Sequence, residues 1–126
     1  MRQDAIEHLK SLLAADEVLE PGSAEYVTES TPWASQHNKH PAIVIRPKTV
    51  ESLSLALSYL NTTRLDFDVR SQGYGSASAK DVLISTSAFD QFDLDLDARV
   101  LTLGAGQRWQ DYYDKMDEFA PEWTGR

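Results

Sequence analysis

Hydrophobic positions follow two alternating periods along the chain. Ile6, Leu9, Leu12 and Leu13 recur at helical spacing over residues 1–15, with Glu7, Lys10 and Asp16 elsewhere on the turn, so an amphipathic helix is expected, stopped near Pro21-Gly22. Residues 23–40 are polar and aromatic, with Tyr26 and Trp33 but no period, and read as an irregular packed connection. Pro41 then opens Ala42-Ile43-Val44-Ile45-Arg46, a short strand closed by Pro47. Thr49 is a good N-cap and Ser52 a weaker candidate, and Val50, Leu53, Leu57 and Leu60 form a second helical stripe over 50–61. Phe67 to Arg70 and Val82 to Ser85 read as strands on either side of a glycine-rich stretch. Phe92, Leu94 and Leu96 alternate with Asp93, Asp95 and Asp97, the period of a strand with one wet face. After a turn at Ala98-Arg99, Val100 to Leu103 completes a hairpin; Gly104-Ala105-Gly106 breaks it. Trp109, Tyr112, Tyr113, Met116 and Phe119 mark a last helix. The order α, β, α, β, β, β, β, α predicts an α+β fold, a small mixed sheet with flanking helices.

The aromatic cluster of Trp109, Tyr112, Tyr113, Phe119 and Trp123 has two readings. At helical spacing such residues usually fill a core, and the same set would also serve a pocket or a dimer interface.

Composition narrows the class. The chain has 126 residues, enough for one domain with a modest core, and is 41% hydrophobic and 25% charged. A net charge of −8 opposes binding to nucleic acid or to an anionic membrane. With no cysteine there is no disulfide framework, thiolate nucleophile or cysteine-based metal site. MRQDAIEHLKSLL lacks the continuous apolar core of a secretion signal, and no window reaches the length of a membrane span, so a soluble cytoplasmic protein is expected.

The candidate chemistry lies in VRSQGYGSAS, Val69 to Ser78. Gly73-Tyr-Gly75-Ser-Ala-Ser78 nearly fits G-x-G-x-x-G, but a dinucleotide loop must open a helix, whereas SAKDVLIST runs quickly into a strand. Successive N–H groups in a Gly/Ser turn can still form an anion-binding nest; the plain alternative is a glycine turn between two strands. Asp93-x-Asp95-x-Asp97 resembles the opening of a calcium loop, yet Ala98 and Gly104 stand where that loop needs glycine and glutamate, and a solvated strand face explains the aspartates better. His37 and His40 are loop residues rather than a metal pair, since Pro41 biases His40 away from helix. Asn61-Thr62-Thr63 is a formal glycosylation sequon with no secretion signal to use it. No Ser/His/Asp arrangement is recognisable, and the catalytic residues are left unassigned.

Taken in order, PAIVIRPKTVESLSLALSYLN, FDVRSQGYGS and DVLISTSAFDQFDLDLDARVLTLGAGQRWQDYY resemble the N-terminal part of the FAD-binding, PCMH-type domain of FAD-linked oxidoreductases. The likeness is to the vanillyl-alcohol-oxidase and berberine-bridge type, especially fungal biosynthetic members, and covers about Pro41 to Met116. It implies that Arg70, Ser71, Gln72, Gly73, Tyr74, Gly75 and Ser76 lie against the FAD pyrophosphate, with Gly104 and Gly106 as a second glycine turn. Where many members carry a flavin-linked histidine this chain has Tyr74, and where they carry a second glycine it has Gln72. Any FAD is therefore expected to be held non-covalently.

The resemblance divides the chain into an N-terminal helix and connection (1–40), a partial FAD-binding subdomain (41–120) and a tail (121–126). The family's domain continues past the equivalent of Met116, so the expectation is a truncated subdomain with little oxidase activity alone. Its exposed apolar surface would be covered by a second copy or a partner chain. The alternative is a stand-alone module that has lost flavin and serves as a small cyclase, an isomerase or a non-catalytic partner.

Overall fold

The computed structural model describes residues 2–73 and 75–123, Trp123 by its backbone alone. The first helix, α1 (Arg2–Ser11), buries Ile6 and Leu9 but ends earlier than its apolar stripe suggests. After a 3₁₀ turn at Ala15–Glu17 the chain enters a two-residue strand, β1 (Val18–Leu19). The stretch read as an irregular connection also holds a helix, α2 (Ala24–Ser30), whose N-cap Ser23 accepts a hydrogen bond from the Tyr26 N–H at 3.1 Å. Tyr26 and Val27 are its only large apolar residues, so no stripe betrays it; the cap does.

From Pro41 onward the elements fall where the periods put them, except that the strand of alternating aspartates ends at Asp95 and Leu96-Asp97 belong to the turn. The elements are β2 (Ile43–Ile45), α3 (Val50–Leu60), β3 (Phe67–Arg70), β4 (Val82–Ser85), β5 (Phe92–Asp95), β6 (Val100–Leu103) and α4 (Trp109–Phe119). Thr49 caps α3, its hydroxyl accepting from the Ser52 N–H at 3.1 Å.

Four strands form one mixed sheet in the order β1-β2-β4-β3, with β1 antiparallel to β2 and the other two pairs parallel. Every residue of β2 and β4 is buried, because both faces of these strands are covered. Ile43, Ile45, Val82 and Ile84 pack against Ile6, Leu9, Ala56 and Leu60 of α1 and α3. Val44 and Leu83 face the other way, toward Leu19 and Tyr26.

Since β3 and β4 are parallel neighbours, residues 71–81 cannot be a tight turn between two antiparallel strands. They must carry the chain from one edge of the sheet back to the other. The glycine-rich stretch is the start of that crossover.

The second sheet is the hairpin β5–β6. Opposed pairs Phe92/Leu103 and Leu94/Leu101 share one face, while Asp93 and Asp95 are exposed on the other, as the alternation implies. Arg99 takes the left-handed φ of 57° at the turn. The aromatic stripe of α4 departs from a core role: Met116 is buried, but Trp109 and Phe119 are 66% and 57% exposed. Trp109 instead stacks edge-on with Tyr112 at 5.4 Å between ring centres.

Candidate functional site

The parallel strands β2, β3 and β4 end at one edge of the sheet, which therefore collects the segments that follow them. Arg46 follows β2, Arg70 ends β3 and leads into the glycine loop, and Ser85 ends β4. Ligands of parallel sheets bind outside this carboxyl edge. The edge is locked by Thr86, whose N–H and hydroxyl both reach the Arg70 carbonyl, at 3.0 and 3.2 Å.

Arg70 is buried beneath the loop it begins. Its guanidinium donates to the Thr31 carbonyl at 2.7 Å and lies against Gly73. Burial holds the Arg70 pKa below its usual range, with Arg108 acting the same way and Glu29 opposing. Gly73 has φ +80°, and a Cβ there would sit 2.4 Å from the Arg70 guanidinium. The left-handed backbone is what favours glycine here, since the close contact is with a side-chain tip that could shift.

Gly75 is different: a Cβ built on it meets nothing within 4 Å. The N–H groups of Gly73, Gly75 and Ser76 donate to no backbone carbonyl among the described residues. Tyr74 lies outside the described residues.

Ser71 and Gln72 reach across to the second glycine turn. Ser71 Oγ donates to the Ala105 carbonyl at 2.6 Å, and Gln72 Nε2 donates to the Gly106 carbonyl. Gly104 and Gly106 are needed for packing: a Cβ on either would stand 2.1 Å from the Phe89 carbonyl oxygen or 2.3 Å from that of Thr86. The two glycine segments, far apart in sequence, are therefore one structural unit.

The structure adds residues that the sequence did not single out. Glu29, on α2, accepts hydrogen bonds from Ser85 Oγ at 2.6 Å and Ser87 Oγ at 2.8 Å, and its carboxylate lies 3.6 Å from Arg46 Nε. Arg46 and Arg108 join Arg70 around a cavity of about 230 Å³, which the carboxylates of Glu29, Asp90 and Asp111 also line. Beyond Ser71 and Gln72 lies a second cavity of about 370 Å³, bounded by Gly73, Gly75, Gln107 and Trp109. The buried Oε1 of Gln107 finds no hydrogen-bond partner among the described residues. His37 and His40 form no metal cluster with other ligating residues among the described residues.

A glycine loop with uncommitted N–H groups, beside arginines at the carboxyl edge of a parallel sheet, suits a ligand bearing phosphate groups. Open space at Gly75 leaves the loop backbone approachable. The chain belongs to the FAD binding domain family, whose model matches residues 41–120.

Among its relatives is an FAD-dependent monooxygenase of Aspergillus niger, 24% identical over 92% of this chain and 22% of the relative. Another, from Arthrobotrys oligospora, is 30% identical over 74% of this chain and 19% of its own length. The chain thus spans about a fifth of the curated relatives it matches. The fold is shared with a xylooligosaccharide oxidase of Myceliophthora thermophila, at a TM-score of 0.79 and 20% identity over 91% of this chain and 25% of that one. It is also shared with the BBE-like 1 protein of Physcomitrella patens, at a TM-score of 0.70 and 23% identity over 87% and 26%. No helix among the described residues is long and apolar enough to cross a membrane.

Proposed function

We propose that this chain supplies the pyrophosphate-binding part of a flavin-dependent oxidoreductase, holding FAD non-covalently through residues 70–76 with Gly104 and Gly106 in support. The observation that carries this reading is the cradle itself. Gly73 lies over a buried Arg70 while Gly75 faces open space, so a phosphate can approach the loop backbone at Gly75. FAD, when bound, supplies the redox chemistry. The residues of this chain bind and orient it: backbone N–H groups of the loop replace water around the phosphates, Arg108 adds charge at the rim, and Arg70 stiffens the loop from below. With Tyr74 where a histidyl link would form, this loop holds FAD without a covalent bond. A cytoplasmic location belongs to the same proposal, as does little oxidase activity from these 126 residues alone.

Flavin fluorescence during an FAD titration is the test. Saturable quenching is expected, lost by about tenfold or more in Gly75→Val, whose side chain fills the approach to the loop. The same variant is expected to melt with the wild type, because nothing within 4 Å opposes its Cβ. A Gly75→Val protein that binds FAD as well as the wild type would sink the assignment.

The reading also includes association. Among the described residues the hairpin β5–β6 pairs with no further strand, and Leu96, Val100, Leu103 and Phe119 are exposed near the same end of the chain. Size-exclusion chromatography with light scattering is expected to give more than the monomer mass at micromolar concentration. A monomer throughout would rule out self-association as the cover for this surface.

A further inference from the structure

We infer that Gln72 is a specificity-determining residue: its side chain divides one ligand groove into two, so that short phosphate ligands are accepted more readily than a full dinucleotide. This inference rests on the FAD-site reading and adds to it. Position 72 is where the resemblance calls for glycine, and a glycine could not make the contacts seen here. The Gln72 amide spans the floor between the two glycine turns. Nε2 donates to the Gly106 carbonyl, and Oε1 accepts from Arg108 Nε at 3.2 Å.

The cavities on either side meet at this bridge. The smaller, of about 230 Å³, is lined by Arg46, Arg70 and Arg108 together with the carboxylates Glu29, Asp90 and Asp111; the larger, of about 370 Å³, is bounded by Gly73, Gly75 and Trp109. Ser71 and Gln72 border both. Ser71 is small and fixed to the Ala105 carbonyl, so the removable part of the partition is the Gln72 side chain. A ligand confined to one side, such as ADP, leaves the bridge intact. A ligand that runs from one cavity to the other has to break both hydrogen bonds of the amide and displace it, and so binds less tightly than it would to a glycine loop.

Calorimetric titration of FAD and of ADP into the wild type, Gln72→Gly and Gln72→Ala tests this, with the thermal midpoint of each unliganded protein recorded alongside. Opening the partition is expected to tighten FAD by roughly tenfold in Gln72→Gly and by less in Gln72→Ala, leaving ADP within about twofold. The midpoint is expected to fall in both variants, because the tie between the glycine turns is lost. A residue that merely braces the loop would move affinity and midpoint down together; that result, or an equal change for FAD and ADP, overturns the inference. Wild type binding neither ligand, with the variants equally inert, would overturn the FAD-site reading and this inference with it. ADP binding to all three proteins with no gain for FAD overturns the partition alone.

Discussion

Gly106→Ala is expected to lower the thermal midpoint by about 10 °C, the equivalent of ~2–4 kcal/mol for a domain of this size. The added methyl would stand 2.3 Å from the Thr86 carbonyl oxygen and 2.8 Å from that of Ser87. Both are backbone atoms at the end of β4, so neither can swing aside as a side-chain tip would. The turn has to lift, and several bonds depend on its position. The Gly106 N–H donates to the Phe89 carbonyl at 2.7 Å, Gly104 N–H to the Gln91 carbonyl at 2.9 Å, and Ser71 and Gln72 donate to Ala105 and Gly106. Losing two or three of these, at about 1 kcal/mol each, accounts for the size of the effect. FAD affinity is expected to fall too, since the loop loses its anchor. Gly75→Ala is the control, and a Gly106→Ala protein that melts with it would show that the turn yields without cost.

The contrast between these glycines shows what sequence reveals and what it leaves out. Glycine at 73, 75, 104 and 106 marks two places where backbone comes close to something, and the motif order assigns them to one family. What each glycine approaches is tertiary. Gly73 meets Arg70 three residues back, Gly104 and Gly106 meet the chain after β4, and only Gly75 faces open space. Residues from β2 onward were legible because their apolar periods are strong and bounded by Pro41, Pro47 and the Thr49 cap. β1 was not, because two residues carry no period and Val18 and Leu19 are recruited by pairing with Ile45 and Val44. α2 was missed for lack of a stripe, and Glu29 with it.

Which strands pair in parallel was equally hidden. FDVR and VLIS have the same pattern whether they meet as a hairpin or across a crossover. Only the buried character of all four residues in VLIS, covered on both faces, hints at the second. That distinction decides the chemistry, because the crossover sets the glycine loop beside Arg46 and Ser85 at the carboxyl edge. The arginines were visible as letters, but their convergence on one cavity follows from strand order β2-β4-β3.

Glu17→Ala is expected to destabilise the fold by ~3 kcal/mol at neutral pH, and the loss is expected to shrink as the pH falls. Glu17 is only 3% exposed, yet among the described residues no cation pairs with it; Lys48 Nζ pairs with Asp16 instead, at 2.5 Å. Its carboxylate is held by three donors: the N–H groups of Ala14 at 3.0 Å and Lys48 at 2.7 Å, and the Ser52 hydroxyl at 3.0 Å. These join the turn before β1 to the start of α3, two segments about thirty residues apart. Alanine would leave all three donors facing a space without an acceptor. Burial pushes the Glu17 pKa up, but the hydrogen bonds together outweigh it and hold the group below the usual carboxylate range. The sign follows from that depression: the folded state binds the Glu17 proton more weakly than the unfolded chain, whose value is about 4.3. The contribution is therefore complete above about pH 5 and disappears as pH drops through the lower folded value. Urea midpoints for wild type and Glu17→Ala between about pH 3 and 7 are expected to converge toward the acid end, other carboxylates cancelling in the difference. A gap that stays constant with pH would assign the effect to packing around the side chain rather than to its charge.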